Sequence, residues 1–251
     1  MKHTLLLLAG LCIAAHTDAQ ITNGKVTYEE AFTVNVPPDA PGDAAVIKGV
    51  LGQGFHFNHV LSFNQEATVY RPEKKEQKNI SSSNDDGMAM QIHIKVPEDI
   101  TYTDLKTGAM LEQRDLMGRK FLVSGDASRR KWQMTGKQKT ILTYPCQEAI
   151  SYGVDTVQAW FTTAIPVSGG PQDWRGLPGM ILEGSRLSQN GTLNVKATQV
   201  EEGAVSIEAP TEGKKVTKEE FEKIQKEKMK EMQEQFGGHG GSGGHLIIMS
   251  R

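Results

Sequence analysis

The chain predicts a mainly β protein: a curved antiparallel sheet or half-barrel with one amphipathic helix at its C-terminal end. Three observations lead there. Short segments alternate apolar and polar residues with a period of two, Gly, Pro and Asn punctuate them closely, and no helical pattern intervenes before residue 217. A period of two sends successive side chains to opposite faces, so one face can be buried and the other wet. Short strands that follow one another without crossover helices pair antiparallel.

At the start, Lys2 and His3 precede an apolar run from Leu5 to Ala15, and Thr17, Asp18 and Ala19 follow. This is the layout of a secretory signal peptide spanning 1–19, with cleavage after Ala19. About 11 apolar residues are too few to cross a bilayer. Cys12 follows Leu11 inside the run, where a lipoprotein site wants a small residue. The mature chain therefore reads as starting near Gln20, exported to the periplasm or outside the cell, and not transmembrane once processed. Cys146 is then its single thiol, so no internal disulfide forms and stability rests on the core.

The β domain is expected over 20–210. Phe32, Val34 and Val36 alternate within Gly24 to Val36, before Pro37-Pro38 and Pro41-Gly42 break the run. Val46 to Leu51 and Phe55 to Phe63 are further apolar runs. Arg71 to Asp86 is polar and ends in Ser and Asn-Asp-Asp-Gly, which reads as a solvated hairpin connection. Met88 to Val96 is the cleanest strand, with Met88, Met90, Ile92, Ile94 and Val96 on its core face. Phe121 to Ser124, Lys131 to Met134, Val154 to Thr163, Thr192 to Val200 and Val205 to Ile207 read as shorter strands. Asn190-Gly191 marks a hairpin between Met180–Arg186 and Thr192.

Thr217 and Glu220 form a capping box. Phe221, Ile224, Met229, Met232 and Phe236 then fall in a stripe about 140° wide, which predicts an amphipathic helix within 211–236. Residues 237–251 read as a Gly/His linker followed by a terminal apolar strand, Leu246 to Met249, that pairs with a sheet edge in this chain or another.

With 251 residues, a sizeable core is within reach. A net charge of −2, with 23% charged residues, offers no basic face for nucleic acid.

The densest local signal is Trp174-Arg175-Gly176-Leu177-Pro178-Gly179-Met180-Ile181-Leu182-Glu183. Pro178 holds its own φ and drives Leu177 towards an extended conformation. Gly176 and Gly179 permit backbone angles or approaches that a Cβ would block. The expectation is a structural turn feeding a buried strand, Met180 to Leu182, beside the indole of Trp174. The same words resemble the signature of the GLPGLI family, secreted proteins of Bacteroidetes, with Met180 in place of the second Leu. The resemblance extends to Tyr144–Ala149, Ala159–Val167, Gly170-Pro171 and the helical end from Pro210 to Lys228. It covers roughly residues 21 to 235 and implies no assigned activity.

Catalytic constellations are lacking: there is no Ser-His-Asp order, H-E-x-x-H, Walker loop or dinucleotide fingerprint. Cys146, in a segment read as starting at a turn, fits a structural thiol better than a nucleophile. His56 and His59 have odd spacing on a strand and face opposite sides. His93 sits on the wet face of its strand. Trp160 and Trp174, near Pro166 and Pro171, are candidates to line an apolar pocket. His239, His245 and Met249 combine imidazole and thioether donors, which suit copper or zinc.

These readings point to a non-catalytic exported envelope protein without a cofactor. Its expected partner is an envelope protein, a peptide or a lipid-like ligand. Soft-metal binding by the tail is the alternative.

Overall fold

The computed structural model describes residues 20–35, 55–73, 77–83, 89–95, 98–126, 130–189 and 191–236. The signal-peptide segment, the Val46–Leu51 run and the tail 237–251 with His239, His245 and Met249 lie outside them.

One open sheet of twelve strands dominates. Its centre pairs β1 (Gly24–Val34) with β13 (Gly191–Glu202) and with β2 (Phe55–Phe63). Outward from β2 lie β3 (Ala67–Pro72), β6 (Ile100–Asp104), β7 (Ala109–Leu116), β8 (Arg119–Asp126) and β14 (Lys214–Thr217). Outward from β13 lie β12 (Met180–Ser188), β11 (Thr156–Thr162), β10 (Tyr144–Tyr152) and β9 (Gln133–Ile141). A separate two-stranded sheet joins β4 (Gln77–Ser83) to β5 (Ala89–Lys95). The helix α1 spans Lys218–Phe236.

Among the described residues, the mainly β class, the open sheet and the single C-terminal helix agree with the sequence. Several details do not. The cleanest alternating segment, β5, is not part of the large sheet, and its partner β4 lies where the sequence reads as a polar connection. Hydrophobic period alone does not choose a pairing partner. Val205–Ile207 is not a strand; the chain pairs later, at β14, and parallel to β8, because residues 203–213 carry it back to the start of that strand. Tyr144-Pro145-Cys146 opens β10 and is not a turn; the turn precedes it at Leu142 and Thr143.

The core lies on one face. Val26 and Tyr28 of β1, Leu61 and Phe63 of β2, Val157 and Ala159 of β11, and Val195 and Ala197 of β13 are all buried there. Residues 163–179, between β11 and β12, cover this inner face with Ile165, Val167, Trp174 and Leu177. The amide of Ile181 in β12 donates to the carbonyl of Gly169 at 2.9 Å. A methyl on Gly169 would nevertheless lie 3.4 Å from Cγ2 of Thr68 in β3. On a flat sheet β12 and β3 are four spacings apart, about 19 Å. The sheet therefore curls around this segment. The other end of the inner face is closed by α1: Phe221 meets Phe121 edge-on at 5.4 Å, and Ile224 joins the cluster of Leu116, Val123 and Val216. Thr217 caps the helix reciprocally, with its amide on Glu220 Oε2 at 2.9 Å and the Glu220 amide on Thr217 Oγ1 at 3.2 Å.

Candidate functional site

The glycine-rich stretch has a structural geometry. Gly176 has φ +96°, in the left-handed region that side chains avoid. Gly179 lies so close to β11 that a Cβ would sit 2.0 Å from the carbonyl oxygen of Thr162. Leu177 is buried and Pro178 exposed, and Met180, Ile181 and Leu182 are fully buried. The Trp174 ring rests on Gly184, where a Cβ would fall 2.6 Å from Cζ3. The hydroxyl of Tyr28 donates to the Ile181 carbonyl at 2.6 Å. The Trp132 indole donates to the Arg175 carbonyl at 2.9 Å, and the Arg175 guanidinium reaches the Gly108 carbonyl at 3.2 Å.

Above Trp174 sits a group of charges that the sequence reading missed. Arg130 grips both oxygens of Asp155, at 2.8 and 3.2 Å, and reaches Asp173 at 3.4 Å. Arg186 places Nε 3.1 Å from Asp155, binds Asp173 directly, donates to Gln172 at 3.0 Å, and lies 5.5 Å over the Trp174 ring. Burial by itself would raise the pKa of Asp155, but the Arg130 hydrogen bond and the two guanidinium charges outweigh it and hold the carboxyl below its ordinary range. At Asp173 burial is likewise outweighed, chiefly by the charge of Arg186 and then by that of Arg130. This clamp joins the covering segment to the turn between β10 and β11. The register shows why the clamp is needed: Arg186 is paired with Val157, a core position, so a charge there requires partners.

The clamped turn presents apolar groups to solvent. Tyr152 pairs with Thr156, which pairs with Leu187, so the two side chains share a face two strands apart, about 10 Å. Tyr152 is 63% exposed, Leu187 57%, and Val154 at the tip of the turn 95%.

The two indoles expected to share a pocket with Pro166 lie on opposite faces. Trp160 pairs with Glu183, and its neighbour Ala159 pairs with Gly184, on whose side Trp174 sits. Trp160 instead carries Lys139 Nζ 4.3 Å above its ring, and Pro166 is exposed.

A second buried polar group, also unread in the sequence, lies beside the core. Glu30 continues the inward series Val26, Tyr28 and Glu30 of β1, and that break in apolar alternation was its signal. Its Oε1 accepts from the Tyr70 hydroxyl at 2.5 Å, and its Oε2 lies 3.5 Å from His59 Nδ1. His59 stacks on Tyr70 with ring centres 5.0 Å apart. Burial, then the charge of Glu30, raise the Tyr70 phenol well above its ordinary range, so it stays a neutral donor. His56 is on the opposite face with Glu29, 3.0 Å away.

Cys146 is buried, and burial pushes its thiol up to about 11, which keeps it protonated and poorly nucleophilic at neutral pH. Among the described residues no three His, Cys, Asp or Glu side chains gather as a metal ligand set. Among them, too, no helix is long and apolar enough to cross a membrane.

Residues 152–183 match a family model described as a protein of unknown function, Porph_ging. That segment holds the turn, β11, the covering segment and the start of β12. No curated protein sequence matches the chain. Solved structures similar in fold include two of PNGF-II. The one in space group C2 has TM-score 0.54 and 16% identity, over 82% of this chain and 32% of that chain. The one in P21 has TM-score 0.53 and 16% identity, over 82% and 33%. The chain thus corresponds to about a third of the length of PNGF-II.

Proposed function

We propose that this chain is an exported, non-catalytic protein of the cell envelope, of the GLPGLI type, that holds an apolar segment of a partner protein or peptide at Tyr152, Val154 and Leu187. The observation that carries the reading is the pairing of opposite features at one turn. Two arginines and two aspartates immobilise it from below, while three apolar side chains project above. A rigid apolar projection loses little entropy on binding and removes its own exposed area from water. The buried, protonated thiol and the mutually bonded Glu30–Tyr70 pair support a framework role for the inner face.

The test is photo-crosslinking in the native envelope from a benzophenone residue at position 154, with position 25 at the other end of β1 as control. The expected result is one defined product from 154 that disappears when Tyr152→Ser and Leu187→Ser are added. Equal labelling from both positions, or a product unaffected by the two substitutions, refutes the reading.

A further inference from the structure

We propose that Glu30 and His59 hold a divalent transition-metal ion of the zinc class between them, on the inner face of β1 and β2. This goes beyond the partner reading above and does not depend on it.

Three observations carry it. First, a buried charge lacks a cation. Glu30 is 5% exposed, and among the described residues no Lys or Arg pairs with it; its ionic neighbour is His59. A carboxylate taken out of water needs a positive partner or a metal. The Tyr70 hydroxyl occupies Oε1, which leaves Oε2 beside His59.

Second, His59 has an orphaned nitrogen. Its side chain is 11% exposed, and its buried Nδ1 has no hydrogen-bond partner. Nδ1 lies 3.5 Å from Glu30 Oε2, and that spacing discriminates between the ways of filling the gap. A direct charge-assisted hydrogen bond draws nitrogen and oxygen to about 2.8 Å. A bridging water, with two bonds of about 2.8 Å at a tetrahedral angle, sets its partners about 4.5 Å apart. Two ligands of one tetrahedral ion, with bonds of about 2.05 Å, stand about 3.4 Å apart. The observed separation fits the third.

Third, one residue orients both donors. The Tyr70 ring lies parallel to the His59 ring, with centres 5.0 Å and planes 7° apart, which fixes the imidazole plane. Its hydroxyl donates to Glu30 Oε1 at 2.5 Å, which fixes the carboxylate. Metal-ligating side chains are held in this way by the groups around them. Tyr70 is therefore a positioning residue, and the ligands are His59 Nδ1 and Glu30 Oε2.

The donor types select the metal. An imidazole nitrogen with a carboxylate oxygen suits zinc, whereas calcium and magnesium take oxygen ligands. Two protein ligands leave the other positions of a tetrahedral ion to water or to a group carried by a bound molecule. His56 and Glu29 lie on the opposite face and take no part.

The test uses the full chain carrying His239→Ser and His245→Ser, so that the tail offers no imidazole. The protein is stripped of metal and titrated with zinc chloride in a calorimeter. The expected result is one equivalent of zinc, lost in Glu30→Gln and in His59→Gln and bound about 10–100-fold more weakly in Tyr70→Phe. Imidazole 15N spectra read the site with Glu30 and His59 intact, free of any folding defect in the variants. Zinc should shift Nδ1 of His59 and leave Nε2 protonated. No zinc binding, binding unchanged by either ligand substitution, or a His59 Nδ1 resonance that does not move overturns the proposal.

Discussion

The inner face of the sheet is covered at both ends, by two different physical devices. At the β8–β14 end, α1 lies on the sheet through Phe221 and Ile224, and its start is fixed by the Thr217–Glu220 capping box. At the β10–β13 end, seventeen irregular residues, 163–179, do the covering. Their hydrogen bonding is irregular: within the segment the amides of Gly169, Trp174 and Gly176 donate to the carbonyls of Val167 and Pro171 and to Ser168 Oγ. The β12 amides of Met180 and Ile181 donate to its Ile165 and Gly169 carbonyls, its indole rests on Gly184, and a clamp of four charges holds Asp173. A helix satisfies its backbone internally and needs only an apolar stripe. An irregular cover must be satisfied group by group from its surroundings, so each contact is specific and few are replaceable.

That contrast is broken most directly at the two aromatic anchors. Trp174→Ala empties a fully buried site and should cost about 3–5 kcal/mol in urea unfolding. Phe221→Ala removes a half-buried ring and should cost at most about 2 kcal/mol. Equal losses would mean that the two covers are not distinct.

Next come the glycines. Gly179→Ala drives a methyl into the Thr162 carbonyl and should destabilise by about 2–3 kcal/mol. Gly125→Ala in β8, where the nearest atom is Lys218 Cβ at 4.0 Å, should stay within about 0.5 kcal/mol. A tolerated Gly179→Ala would show that the cover can shift away from β11.

Asp155→Asn leaves Arg130 and Arg186 without one counter-charge and should cost about 2 kcal/mol at neutral pH. The native carboxyl is held below its ordinary range, so its contribution is present above the unfolded value of about 3.9 and is lost as pH falls through the lowered folded value. The stability difference between native protein and variant should therefore shrink below about pH 4. A difference that stays constant between pH 7 and pH 3 contradicts the charge account. Smallest is Thr217→Ala, about 1 kcal/mol, confined to faster amide exchange in the first turn of α1.

These residues also show where sequence reading succeeded. The helix, its cap and strands such as β2 carry local periodicity or capping chemistry that a linear text displays. The charge clamp does not: Arg130, Asp155, Asp173 and Arg186 are far apart in the chain and acquire meaning only when strands align. Trp160 and Trp174 looked like neighbours, yet the β11–β12 register sends them to opposite faces.

By itself, then, the sequence determined the β class and the C-terminal helix with its cap, because alternation and capping act over a few residues, whereas the need for glycine at 179 comes from the Thr162 carbonyl across in β11. Only the tertiary structure decided which strands neighbour which, the exile of β5 to its own small sheet, the parallel addition of β14, and the union of buried charges over Trp174. Those depend on long-range pairing, where many registers satisfy the same apolar alternation and the choice falls to the contacts of the whole sheet.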